Sequence, residues 1–234
     1  TFVSTSPDGT LAASAGVDGT VLVTPLAPHV DAGTVRIEAA HDRIPRAIFS
    51  PSGAVLAVAA PDGALALFDA RSGAPRGHIA VHSGGPMRSL AFVDEQHVLT
   101  GGEDGRVALV DLAHGSTRVL ARHAAYVRDV APSPDRTLFA SLGFDQSVRV
   151  FDAASGALVG LVHVDAPLQA FAWTPDSQAL AIVGYEKLVD VVPRALLATL
   201  PVNERALGAR IATATRAHIG EDGRLMSAAS TGAK

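Results

Sequence analysis

The 234 residues contain no cysteine. A disulfide framework and any thiolate-bound zinc site are thereby excluded. A cysteine-free chain fits a reducing environment, so a cytoplasmic or other reducing intracellular location is the expectation. Aromatic residues are scarce at 5%, with one Trp, two Tyr and eight Phe. The core must therefore be built from Ala, Val and Leu, which suits close packing of stacked sheets. There is no excess of positive charge: the formal net charge is -4. The basic residues are dispersed and not interleaved with aromatics, so no direct nucleic-acid partner is expected. No apolar run approaches the length that spans a bilayer; the longest, around Ala54 to Ala60, is strand-sized, and no membrane insertion is expected. No signal segment is visible, and the start at Thr1 reads as a trimmed chain.

Signatures of catalysis are also missing. The sequence has no G-x-S-x-G elbow, no phosphate-cradling glycine loop and no H-E-x-x-H pair. His29, His78, His97, His114 and His218 lack ligand partners at useful spacing. The chain is thus expected to be no enzyme and to hold neither cofactor nor metal.

What the chain has in abundance is a repeat. The turn Ser6-Pro7-Asp8-Gly9 recurs as Ser50-Pro51-Ser52-Gly53, Ser133-Pro134-Asp135-Arg136 and Thr174-Pro175-Asp176-Ser177, with degenerate copies at Val93 to Gln96 and Gly220 to Gly223. A second turn follows each: Asp18-Gly19, Asp62-Gly63, Asp104-Gly105, Asp145-Gln146 and Glu186-Lys187. The acids of this second series stand 44, 42, 41 and 41 positions apart, the period of a four-stranded propeller blade. Asp-Gly is a strong hairpin signal, expected with positive φ at both central residues. The runs between turns have strand length; in the fourth copy they are Val127–Ala131, Thr137–Leu142, Ser147–Asp152 and Leu158–Val164. Residues 54–60 are apolar on both faces, as expected of a strand packed between two neighbouring sheets.

The spacing predicts an all-β propeller of four-stranded antiparallel blades, five complete plus part of a sixth. The blades are expected at 1–41, 42–82, 83–123, 124–163 and 164–193, an irregular connection or short helix at 194–208, and a partial sixth blade at 209–234. Such a set does not close a ring of the usual size. It reads as a fragment of a larger propeller or as one that a partner completes, and the segment Arg194 to Arg210 is a candidate docking element.

These repeats resemble the WD-repeat family over nearly the whole chain. His41, His82, His123 and His163 precede their turn acids by 21, 22, 22 and 23 residues, and the Trp-Asp position is filled by Phe68-Asp69, Val110-Asp111 and Phe151-Asp152. Trp never occupies it, and the first repeat has Thr24-Pro25 there, so the member is divergent. His82 to Val192 is also similar to the last three blades of the WD-repeat subunit of the superkiller complex, through Pro86 to Leu90 and Asp145 to Phe151.

The resemblance implies roles for the repeated polar residues. His41, His82 and His123, with turn acids Asp62, Asp104 and Asp145 and a strand hydroxyl such as Ser141, would form buried hydrogen-bond networks that tie each blade to its connection. His123, Ser141 and Asp145 mimic a catalytic triad on paper, but their recurrence in other blades favours structure. The family's binding positions map to Val17, Pro61, Glu103, Phe144 and Tyr185 before the turn acids. The strand starts give Pro45, Arg88, Arg128 and Gln169, and the positions two before them give Arg43, Pro86, Tyr126 and Pro167. Tyr126, Arg128, Phe144 and Tyr185 are expected on one rim, and Arg and aromatics dominate binding hot spots. The expected function is a protein-interaction scaffold inside a multi-subunit complex. The alternative is a lactonase- or sensor-like propeller that binds a small ligand in its central channel.

Overall fold

A computed structural model describes residues 2–26, 33–39, 46–163, 167–184, 189–197, 216–219 and 225–227. The first sheet is β1 (Phe2–Thr5), β2 (Leu11–Ala15), β3 (Thr20–Pro25) and β4 (Val35–Glu38); the second is β5 (Ala47–Phe49), β6 (Val55–Ala59), β7 (Ala64–Asp69) and β8 (Pro75–Ala80). The third is β9 (Met87–Phe92), β10 (His97–Gly102), β11 (Arg106–Asp111) and β12 (Ser116–Arg122), and the fourth is β13 (Val127–Pro132), β14 (Leu138–Gly143), β15 (Ser147–Asp152) and β16 (Leu158–His163). Each is an antiparallel meander in chain order.

The fifth sheet runs β17 (Leu168–Trp173), β18 (Ala179–Gly184), β19 (Val189–Pro193), β20 (Arg216–Ile219) and β21 (Leu225–Ser227). β20 and β21 are the two strands read from the sequence as the start of a further blade. They pair with each other, and β20 also pairs with β19 through Val189 opposite Ala217 and Asp190 opposite Arg216. Between β19 and β20, the four-residue helix α1 (Arg194–Leu197) opens the connecting segment.

The chain divides into two compact units, Thr1–Val130 and Ala131–Lys234. In the first unit β6 shows why its sequence is continuously apolar. Leu56 and Val58 pack with Val21, Val23 and Ile37 of the first sheet. Ala57 and Ala59, on the opposite face, pack with Leu90, Val98 and Val110 of the third. In the second unit Leu138, Ala140, Leu142, Val148 and Val150 form one cluster with Leu168, Phe171, Leu180 and Ile182. Leu197 of α1 joins that cluster at 1% exposure. A side chain on Gly160 would meet the Leu197 carbonyl at 3.1 Å, so this glycine lets the helix backbone approach β16. Arg194 closes the contact by donating to Asp135 Oδ2 at 2.5 Å and to Thr137 Oγ1 at 2.8 Å. The start of the proposed docking segment is therefore committed within its own unit.

The turns explain the repeat's chemistry. In the first series Gly9, Gly53, Arg136 and Ser177 donate N–H to the carbonyls of Ser6, Ser50, Ser133 and Thr174, and each has φ between 59° and 73°. In the second, Gly63 and Gly105 donate to Ala60 and Gly102. These are turns of type I shape followed by one left-handed residue, with proline preset at the second position. The expectation of positive φ at both Asp and Gly fails for this reason: only the residue after the acid takes it. The acid instead accepts the N–H two residues ahead. Asp18 bonds Thr20 N at 3.1 Å, Asp62 bonds Ala64 N at 3.0 Å, Asp104 bonds Arg106 N at 3.0 Å and Asp145 bonds Ser147 N at 3.3 Å.

His82 gives the buried tie its full geometry. It is 3% exposed, with Nδ1 at 2.9 Å from Asp104 Oδ1 and Nε2 at 3.1 Å from Thr100 Oγ1. The carboxylate needs a donor, so Nδ1 carries the proton and Nε2 accepts from the threonine hydroxyl. The His82 N–H donates to Gly63 O at 2.9 Å, and His123 and Ala39 repeat that bond to Gly105 and Gly19 at 2.8 and 3.1 Å. Gly102 is required here: a Cβ would lie 2.3 Å from His82 Nδ1. His123 is 6% exposed, and Ser141, in the second unit, is fully buried. His41 lies outside the described residues.

Burial holds the His82 imidazole below its ordinary value of 6.5, against the opposing pull of Asp104. Hydrogen bonds from Ser6 and Thr10 lower the Asp8 carboxyl from 3.8 to about 2. Bonds from Thr20 lower Asp18, and bonds from Ser72 lower Asp69. Depressed carboxylates stabilise the fold above the ordinary range near 3.8 and lose that contribution as pH falls towards about 2. His82 acts in the same sense from a higher pH, because below 6.5 the unfolded chain binds its proton first. The melting temperature, followed by circular dichroism, is expected to be flat above about pH 7, to drift down below about 6.5 and to fall steeply from about 4. An unchanged value down to about pH 2 would contradict the turn-carboxylate account. His82→Ala leaves Asp104 and Thr100 buried without their partner and should cost about 2–3 kcal/mol in urea unfolding, against about 1 kcal/mol for Thr100→Val.

Candidate functional site

The second-turn ends of the sheets carry the candidate binding residues, and in the first unit three of them come together. Arg88 is the second residue of β9, Glu103 follows β10, and Tyr126 precedes β13. Arg88 donates from Nε to Glu103 Oε1 at 2.7 Å and from Nη2 to the same oxygen. The guanidinium carbon lies 5.6 Å from the centre of the Tyr126 ring, a cation–π contact with the next sheet. Glu103 is placed by its own N–H, which donates to Pro86 O at 3.0 Å. Gly85, at φ 140°, clears the space its side chain needs, since a Cβ there would sit 3.0 Å from the Glu103 carboxylate. Arg88 and Glu103 keep 41% and 31% side-chain exposure, so the pair is presented rather than buried.

Arg106 and Arg122 are directly opposite each other across β11 and β12. Like charges so placed repel. Asp104 Oδ2 stands 3.4 Å from Arg106 Nε. Arg122 is exposed, and Arg128 at the start of β13 is half-buried.

The other predicted residues fall as follows. Val17 is 66% exposed and Pro61 half-buried, both in the first unit. In the second unit Phe144, after β14, is 45% exposed, and Gln169 in β17 is exposed. Tyr185, Arg43 and Pro45 lie outside the described residues. Asp62 has His78 Nε2 at 3.5 Å besides its turn bond, and Asp145 accepts from Ser147 Oγ at 2.7 Å.

Sequence reasoning missed a polar hub on the first strands of successive sheets. Arg46, just before β5, donates from Nη1 to Asp129 Oδ1 at 2.7 Å and to Ser89 Oγ at 3.1 Å. Ser89 is fully buried; its hydroxyl donates to Asp129 Oδ1 at 2.7 Å and accepts from Val130 N at 3.1 Å. The Arg46 guanidinium also covers the Phe2 ring at 5.0 Å. One arginine thus touches β1, β9 and β13. The signal was available: Arg46, Ser89 and Asp129 are 43 and 40 positions apart, close to the repeat.

Among the described residues no group of three or more His, Asp or Glu side chains is placed to hold a metal ion. No helix there is long and apolar enough to cross a membrane. An apolar cavity of about 70 Å³ lies between Leu11, Val23, Val35 and Ala70, well below the roughly 300 Å³ of a small-molecule site.

A family model described as "WD domain, G-beta repeat" matches residues 1–23 and 115–152. The chain is 32% identical to the WD repeat-containing protein SL1-17 of Schistosoma mansoni over 67% of its own length and 52% of that protein. It is 23% identical to the p21-activated protein kinase-interacting protein 1-like of Danio rerio over 59% of this chain and 38% of that one. With actin-interacting protein 1 of Drosophila melanogaster it shares 34% identity over 38% of this chain and 16% of that protein. The chain therefore spans about half, or less, of the length of these curated relatives. Four-stranded blades, matched repeats and relatives together support the WD40 repeat family, and the chain is an all-β, propeller-like WD-repeat protein.

Proposed function

We propose that this chain is a non-catalytic scaffold that binds protein partners at the second-turn ends of its blades, as one subunit of a larger assembly. The observation that carries the reading is the Arg88–Glu103–Tyr126 arrangement, in which charged and aromatic side chains are fixed while still partly exposed. Side chains already ordered lose little entropy on binding. Exposed Val17 and Phe144 add apolar surface at the same repeat position in each unit. Relatives named for interaction with actin or with a protein kinase agree with a role in holding proteins.

The test is affinity purification from the native source with quantitative mass spectrometry, wild type beside a Val17→Asp, Phe144→Asp double variant. Both positions are exposed, so the variant should melt within about 1–2 °C of wild type. Specific partners should be lost from the variant. Retention of every partner would sink the reading, and absence of any partner from wild type would favour the small-ligand alternative.

A further inference from the structure

We infer that the groove between the first two sheets, at their first-turn end, is a socket for one leucine side chain of a protein partner, carried on a helical turn with an arginine three residues before it. The socket lies at the opposite end of the sheets from the binding face proposed above and does not depend on that reading. Its floor is Leu11, Val23 and Ala70, all buried, and its rim includes Thr10, Gly33 and Arg71, all exposed. The cavity measures about 70 Å³, roughly half of the 150 Å³ or so of a dry apolar cavity that takes benzene. That is room for the few carbons of one aliphatic side chain.

The chain itself shows what such a groove accepts. Ala70, Leu112 and Arg194 hold one repeat position, since their N–H groups donate to the carbonyls of Ala54, Gln96 and Gln178. Val35 and Gly160 hold another, opposite Val23 and Val150. Between the second and third sheets, Leu112 packs against the cluster that contains Leu67. Between the fourth and fifth sheets, Leu197 of α1 lies against Gly160 and joins Leu138, the counterpart of Leu11. Between the first and second sheets the repeat supplies only the methyl group of Ala70, and the cavity remains.

The charge at the rim selects the rest of the segment. Asp135 accepts from Ser133 Oγ at 2.6 Å, Thr137 N at 3.1 Å and Thr137 Oγ1 at 2.9 Å, and its Oδ2 also takes Arg194, three residues before Leu197. Asp8 repeats this set: it accepts from Ser6 Oγ at 2.6 Å, Thr10 N at 3.0 Å and Thr10 Oγ1 at 2.8 Å, and that hydroxyl reaches Oδ2 at 2.9 Å. Arg71 stands 4.0 Å from Asp8 Oδ2, beyond hydrogen-bond reach, and the carboxylate side chain keeps 49% exposure. An arginine on the incoming turn completes Asp8 as Arg194 completes Asp135. An acidic segment would meet Asp8 as a like charge, on a chain whose net charge is -4.

The experiment titrates the full chain into a fluorescein-labelled peptide of residues 192–200, the α1 sequence, read by fluorescence anisotropy. The peptide should bind saturably. Ala70→Leu fills the socket from within and should weaken binding by about tenfold or more, with a melting temperature level or raised. Leu197→Ala in the peptide should cost a similar factor. Arg194→Gln in the peptide should cost about threefold, matched by Asp8→Asn in the protein. The peptide variants leave the protein untouched, so they decide the outcome even where a protein variant folds poorly. No binding, or binding indifferent to Leu197→Ala, overturns the inference. Binding indifferent to Ala70→Leu would assign the peptide to the groove of the second unit and overturn it as well. Self-association of the unlabelled chain in sedimentation velocity, abolished by Ala70→Leu, would make a second copy the occupant and overturn the assignment to a separate partner.

Discussion

The structure depends on a carboxylate that folds back onto the chain two residues ahead. Strands of three to seven residues need a reversal after every one, and reversals this frequent would leave many backbone N–H groups unpaired. Asp8, Asp135 and Asp176 serve the first turns, at 3.0, 3.1 and 3.0 Å from the N–H groups of Thr10, Thr137 and Gln178. Asp18, Asp62, Asp104 and Asp145 serve the second. Asp69, Asp111 and Asp152 serve the turn after the third strand, where each bonds the N–H three residues on. In the second, third and fourth repeats the acid that closes the third strand is thus a turn cap, a role independent of the residue before it, which is Phe68, Val110 and Phe151 in turn.

Two buried polar systems then act at different ranges. The His82 system is local, joining the end of one sheet to the second and third strands of the next through Asp104 and Thr100. The Arg46 hub is longer in reach, with 83 positions between Arg46 and Asp129. Neither exists for net stability alone, because burying a charge is costly and an apolar replacement is often neutral. Their value is directional. Apolar contacts between Ala, Val and Leu faces tolerate sliding, whereas a serine hydroxyl shared between an arginine and an aspartate has one satisfactory position.

Period and turn chemistry made most of this legible. Strand limits in the fourth repeat came within a residue or two of β13 to β16, because Ser-Pro-Asp and Asp-Gln mark turns from both sides. The two-sided packing of β6 followed from an unbroken apolar run. Two features were harder to read. The turn conformation was misjudged since Asp-Gly signals two different hairpins, and the choice between them depends on which atom the carboxylate reaches. Thr100 was overlooked although it precedes Ser141 by 41 positions, because a hydroxyl in a strand has no signature until its histidine is placed. The Arg46 contacts join residues on different strands whose approach is set by how sheets stack, which no periodicity states.

The hub and the candidate binding residues are coupled through alternation along a strand. In β9 Ser89 points inward to Arg46 and Asp129, so its neighbour Arg88 must point outward. In β13 Asp129 is held by the same hub, one residue after Arg128 and three after Tyr126. The position of the Arg88 guanidinium relative to the Tyr126 ring is thus set from below by bonds that do not themselves face a partner. A surface arginine on a loop would have to lose its rotamer freedom at the moment of contact. Here that freedom is already restricted by Glu103 at one edge, Tyr126 at one face and the hub beneath.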